Sequence, residues 1–352
     1  MDSSEQERTI LEKQLHELEE QLLAWRDQAK EPQCVEAAGD RVVKRESIKL
    51  WWREGRSVLL LSGRWSDAVV DGNRLYILER SGRLRTYDIN KKCWLQLSMA
   101  PYSFSGFVIL DDLPTTIGGE GTNKLMSLTV EGKWTEKFPP MPTARHFVSA
   151  ACTGTVLIVA GGTGKHLNTL TTVEVLSIDN HQWSTAVDLP ELLKYHSTTV
   201  CGDQLYMLGG AHNHDPTKSV YTCSVSALLQ TCSQKSSLEE HISALSLSNG
   251  NSSGAGVWSK LPDLPVTRST CVTFCGQLTT VGGMGSDKKP TTAVYMYNQA
   301  TNSWNVISHM TTARSRPFAA VLPNNQLMVV GGKAKIDDKW TGLNSVEFGN
   351  LY

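Results

Sequence analysis

From about residue 47 to the C terminus, apolar and polar residues alternate in short runs, the period of half-buried β-strands. The runs come in a fixed order. A strand ends in a turn such as Val200–Asp203 or Phe274–Gln277, and a second, more apolar strand such as Val156–Val159 or Gln204–Met207 follows. That second strand closes on a glycine pair five times: Gly118 and Gly119, Gly161 and Gly162, Gly209 and Gly210, Gly282 and Gly283, Gly331 and Gly332. After a polar loop comes a third strand, as in Val173–Leu176, Ser219–Thr222, Ala293–Met296 and Ser345–Phe348, and then a fourth opened by Trp94, Trp134, Trp183, Trp258 or Trp304. The first glycines are spaced 43, 48, 73 and 49 residues apart. A period near fifty with four strands per unit predicts blades stacked radially around an axis, since a lone four-stranded sheet cannot cover both its faces.

The period changes once, at the front of the chain. Leu11, Leu15, Leu18, Leu22, Trp25 and Ala29 follow the alternating steps of four and three of a heptad seam, among Glu, Gln, Lys and Arg, and Pro32 closes the run. Residues 1–31 are expected to form an amphipathic, coiled-coil helix, able to self-associate weakly through residues 8–30 or to dock, and residues 32–46 a linker. The propeller is assigned to residues 47–352.

The repeats resemble the kelch family, whose signature is a double glycine, a later Tyr-and-acidic strand, a Trp, and a Pro/Arg turn into the next repeat. The turns Met141–Arg145, Leu264–Arg268 and Met310–Arg314 carry that pattern, with looser versions at Met99–Pro101 and Leu189–Glu191. Blade one departs from it, because Leu75–Arg80 has no glycine pair, although Tyr87 and Trp94 are in place. Six repeats result. The sixth has no fourth strand before the chain stops at Tyr352, so the fold class expected is all-β, a six-bladed kelch-type propeller closed by an N-terminal strand that contributes Trp52. The long interval places an insertion at 226–256, rich in Ser, Asn and Gly and expected to be a mobile loop.

Composition narrows the function. With 34 basic against 35 acidic residues, the chain lacks the cationic surplus that phosphate backbones require, so no nucleic acid is expected. The acidic start offers no secretory signal and no run is apolar enough for a membrane span, and eight cysteines without a CxxC pair read as thiols, so a cytoplasmic protein without a membrane partner is expected. His212 and His214 form the only ligand-like run, too few for a metal site, and no nucleophile elbow, phosphate loop or HExxH motif occurs, so neither catalysis nor a cofactor is expected.

In a propeller the inter-blade turns and the loops after the glycine pairs share one face. The turns supply Arg64, Arg145, Lys194, Arg268 and Arg314, with Tyr102 in the remaining blade, and the loops add His212, His214, Lys288 and Lys289 among other bases. Each arginine could brace its own turn against a carbonyl. Taken as a set, they suggest a cationic face for an acidic or phosphorylated protein segment, because guanidinium grips carboxylate and phosphate through paired hydrogen bonds. The resemblance also implies a protein-interaction role as scaffold or adaptor. Within the same family it leaves open an enzyme acting on a sugar or alcohol, oxidase or mutarotase-like, and an actin-binding protein.

Overall fold

The computed structural model describes residues 50–54, 65–79, 81–212, 215–232, 257–267 and 269–351. All lie within one compact unit, Ser47–Tyr352. The expected N-terminal helix, the linker, Arg64, Arg268, His214 and most of the blade-four insertion fall outside the described residues.

Six antiparallel four-stranded sheets form the blades. Blade one comprises Trp65–Asp71, Arg74–Glu79, Leu84–Asp88 and Cys93–Gln96; blade two Gly106–Leu110, Leu113–Ile117, Leu125–Leu128 and Trp134–Thr135. Blade three comprises Ser149–Cys152, Val156–Ala160, Val173–Ser177 and Gln182–Thr185; blade four Ser197–Cys201, Gln204–Leu208, Val220–Ser224 and Ser259–Leu261. Blade five comprises Thr270–Phe274, Gln277–Val281, Ala293–Asn298 and Ser303–His309. Blade six runs Phe318–Val321, Leu327–Val330 and Val346–Leu351, and its fourth strand is Leu50–Glu54 from the front of the chain.

That borrowed strand reproduces the register of the others. Trp52 stands opposite Gly349, as Trp183 stands opposite Leu176 and Trp304 opposite Tyr297. Gly349 gives the ring room there, since a Cβ would lie 3.0 Å from it and force it to shift. The indole N–H groups of Trp183 and Trp304 reach back to the preceding blade, donating to the Pro139 and Pro262 carbonyls at 3.0 Å, and Trp52 likewise donates to Ser308 Oγ of blade five at 2.9 Å. The closing strand therefore supplies a wedge between blades as well as an edge partner.

The core is cut into slices by this arrangement. Each buried apolar cluster spans one pair of adjacent blades; Val108, Leu110, Leu157 and Val159 join blades two and three, for example. The pair formed by the last and first blades is filled the same way, by Phe318, Met328 and Phe348 against Leu75, Ile77 and Tyr87. Burying both faces of every sheet in this manner is what stabilises strands of only two to seven residues.

One segment differs from expectation. Residues 225–232, the start of the expected mobile insertion, form a helix. Its apolar positions Val225, Leu228, Leu229 and Cys232 follow helical spacing and pack on the core of blades three and four, while Ser224 Oγ caps it by accepting from the Ala227 N–H at 3.2 Å. No helix among the described residues is long and apolar enough to cross a membrane.

Candidate binding site at the channel mouth

The first strands of the six blades surround a central channel of about 880 Å³. One end is built by a recurring pairing in which a residue of the inter-blade turn bonds to the residue just after the glycine pair: His146 with Thr163, Lys194 with Ala211, Thr267 with Met284, Ser315 with Lys333. The glycines make this approach possible. A Cβ on Gly162 would meet the His146 carbonyl oxygen at 2.8 Å, and its φ of +90° is one that side chains rarely adopt.

The pairing puts the turns in register and relocates the arginines. Arg145, Leu193, Val266 and Arg314 occupy one equivalent position, and Lys194 and Arg268 follow one and two residues later. The expected row of like-placed bases is therefore not a row. Nor do Arg145 and Arg314 face solvent; they are 1% and 0% exposed. Each turns into its own blade beneath the glycine pair. Arg145 donates to the Gly161 and Thr172 carbonyls at 3.0 Å and pairs with Glu174 at 2.9 Å, and Arg314 donates to the Gly331 carbonyl at 2.8 Å and pairs with Glu347 at 2.5 Å. Burial lowers the pKa of both guanidiniums, opposed by the charges of Glu174 and Glu347. Burial pushes the Glu347 carboxyl up, but hydrogen bonds from Thr311 and the Arg314 charge outweigh it and hold the group below the ordinary range. These two arginines brace the turns and are removed from the expected partner-binding set.

The partner residue varies in step with the arginine. Where Leu193 and Val266 replace Arg, the strand position of Glu174 and Glu347 carries Tyr221 and Tyr295. A buried carboxylate without its guanidinium would leave an uncompensated charge, so the two positions change together.

The residue that does reach the mouth is the one two places after the bracing position. Phe104, Phe147, Tyr195 and Arg316 stand there with φ of +60°, +54°, +58° and +52°. Their backbones link blade to blade, the Tyr195 N–H donating to the Phe147 carbonyl at 3.2 Å and the Phe147 N–H to the Phe104 carbonyl at 3.0 Å. The three rings form a ladder of edge-on and tilted contacts, with centroids 4.8 Å apart and planes at 68° for Phe104 and Phe147, and 4.3 Å and 38° for Phe147 and Tyr195. All four line the cavity. The first basic residue of each turn falls at this position only for Arg268, so it does not mark the other four; a bulky residue two places beyond Arg145 and Arg314 was the available signal.

Of the other expected site residues, Tyr102 and Lys194 are half-buried at the rim, and His212, Lys288 and Lys289 are exposed on the loops. Lys333 lines the cavity beside Arg316, and Lys335 is engaged by Asp338 at 2.7 Å. Blade one contributes no loop here, its second and third strands being joined by a tight turn in which the Gly82 N–H donates to the Glu79 carbonyl at 2.9 Å. Among the described residues no group of three or more His, Cys, Asp or Glu is placed to hold a metal ion.

A family profile described as Kelch motif matches residues 144–190, one unit from the bracing turn of blade three through its Trp strand into the turn that follows. The chain is 23% identical over 256 residues to Kelch repeat and BTB domain-containing protein 2 of cowpox virus, strain GRI-90, covering 69% of this chain and 43% of the relative. It is 27% identical over 188 residues to Kelch-like protein 35 of Mus musculus, covering 49% of this chain and 30% of the relative. The chain is thus similar to kelch-repeat proteins, through one motif in blade three and at low identity along about two thirds of its length. The kelch match spans less than half the length of either relative. Within this propeller, glycine pairs and Trp residues are accounted for by blade geometry, and the mouth residues at the left-handed position are not.

Proposed function

We propose that this kelch propeller is a non-catalytic protein-interaction module, a scaffold or adaptor, that receives an acidic or phosphorylated segment of a partner protein at the mouth of its central channel. One observation carries the reading. The turn geometry demands a φ near +55° in blade after blade, where Gly or Asn sits at least cost, yet the chain holds Phe104, Phe147, Tyr195 and Arg316 there. A bulky side chain in this conformation costs about 1–2 kcal/mol per residue. Local backbone preference cannot have selected these residues, and their common feature is access to the cavity.

The acidic character of the partner is supported by Arg316 and Lys333 at the cavity and by Lys194, Lys288 and Lys289 around it. Clustered cations raise the local concentration of anionic segments and speed their encounter. A protein partner fits a wide, water-accessible mouth, and on the thiol argument we place that encounter in the cytoplasm. Random linear peptides displayed on phage and selected on the full chain test this. Enrichment in Asp or Glu, weakened by added salt and by Arg316→Ser with Lys333→Ser, is expected, and a synthetic phosphoserine version of a selected peptide should bind at least as tightly; enrichment of neutral or basic peptides would overturn it.

A further inference from the structure

The mouth is not uniform around its circumference. Blades two, three and four present the ladder of Phe104, Phe147 and Tyr195, the last 43% exposed, and blades five and six present Lys288, Lys289, Arg316 and Lys333. Blade six adds a hairpin, Lys333–Ile336 paired with Lys339–Gly342, that rises from the same face. Lys335 lies opposite Trp340 in that hairpin, and Lys333, two residues earlier on the strand, shares their side. Lys333 lines the cavity, and Lys335 and Trp340 stand beyond it on the same side of the hairpin. Trp340 is 48% exposed, an uncommon state for Trp on a surface without a partner.

Resting on the channel-mouth reading, we infer that the partner segment is amphiphilic, carrying a bulky apolar or aromatic side chain that lies on the blade-two-to-four ladder and a carboxylate or phosphate that meets Arg316 and Lys333. The chemistry of the two halves requires both. Cations alone would attract any acidic chain, and exposed charge pairs contribute little affinity through water. Ring surface already held by ring–ring contact offers an apolar anchor low ordering cost, and such anchors dominate binding energy where they are desolvated. The backbone strain of the ladder is consistent with this division, since the three aromatic residues occupy the costly position in three consecutive blades.

The decisive variant is Phe147→Gly. Glycine adopts a φ of +54° without strain, so the variant is expected to melt within a few degrees of the parent, which separates loss of binding from loss of fold. Peptides selected on the full chain are expected to pair Asp or Glu with Leu, Phe, Tyr or Trp. By fluorescence anisotropy, one such labelled peptide is expected to lose at least about tenfold affinity on Phe147→Gly and on Trp340→Ser. A matched peptide with the apolar residue changed to Ser should bind weakly to all three proteins. Acidic peptides without an apolar residue, or unchanged affinity on Phe147→Gly, would overturn the inference and leave the acidic reading standing. Apolar peptides without acids would overturn both.

Discussion

His196 sits in the wedge between blades three and four, the place that Val148 fills between blades two and three. Its ring Cε1 would lie 3.1 Å from a Cβ on Gly161, as Val148 Cγ1 would lie 3.2 Å from one on Gly106. The side chain is 6% exposed and neither ring nitrogen has a hydrogen-bond partner. Burial lowers its pKa from 6.5 to about 4. The unfolded chain takes up a proton near pH 6.5 and the folded one resists until near pH 4, so stability is intact above 6.5 and falls as pH drops through that window. At about 1.4 kcal/mol per pKa unit, the loss is about 1.4 kcal/mol at pH 5.5 and about 2.5 kcal/mol at pH 4.5. His196→Val should remove that loss and, by deleting two unpaired buried nitrogens, add about 1–3 kcal/mol at pH 7.5. Urea unfolding of parent and variant at pH 7.5, 5.5 and 4.5 measures the difference directly. Equal pH slopes in the two proteins would refute the placement of a neutral, unpartnered imidazole in this wedge.

Three further outcomes follow from the same structure. Arg314→Leu alone should cost about 3–5 kcal/mol by leaving Glu347 charged and buried, whereas Arg314→Leu with Glu347→Tyr, which copies Leu193 and Tyr221 of blade four, should restore most of it; chemical denaturation of both decides whether the pair is a brace. Removing residues 1–54 strips blade six of its fourth strand and leaves the Glu347–Leu351 edge open, so the shortened chain should lose cooperative melting and aggregate on size exclusion; a monomer with unchanged melting would contradict closure by Leu50–Glu54. Burial raises the thiols of Cys223 and Cys271 to about 12, so brief alkylation of native protein at pH 7.5 followed by peptide mass spectrometry should label exposed Cys275 and spare both.

Much of the ring was legible because its signals are local. Glycine pairs mark turns that only glycine enters cheaply, strand alternation has a period of two, and a missing Trp strand at one end matched a spare Trp at the other. The helix at 225–232 was legible too, in the spacing of Val225, Leu228, Leu229 and Cys232 after Ser224, but the Ser-rich composition beyond it dominated the reading. The site was less accessible. Arg145 and Phe147 are two residues apart in one turn, and a single left-handed residue there separates a buried brace from a cavity wall. No periodicity reports such a reversal, because it depends on how the turn bonds to the loop of the same blade.

The sequence by itself determined the number of blades, the order of strands within each and the strand that closes the ring, since these depend on backbone conformations that residue types favour one turn at a time. The tertiary structure alone decided which turn residues brace and which face the channel, and that Phe104, Phe147 and Tyr195 line one arc of the cavity while Arg316 and Lys333 line another. Those outcomes arise from long-range packing: burial drew Arg145 and Arg314 to carboxylates on strands about thirty residues away, while ring closure gathered side chains from turns more than two hundred residues apart around a single cavity.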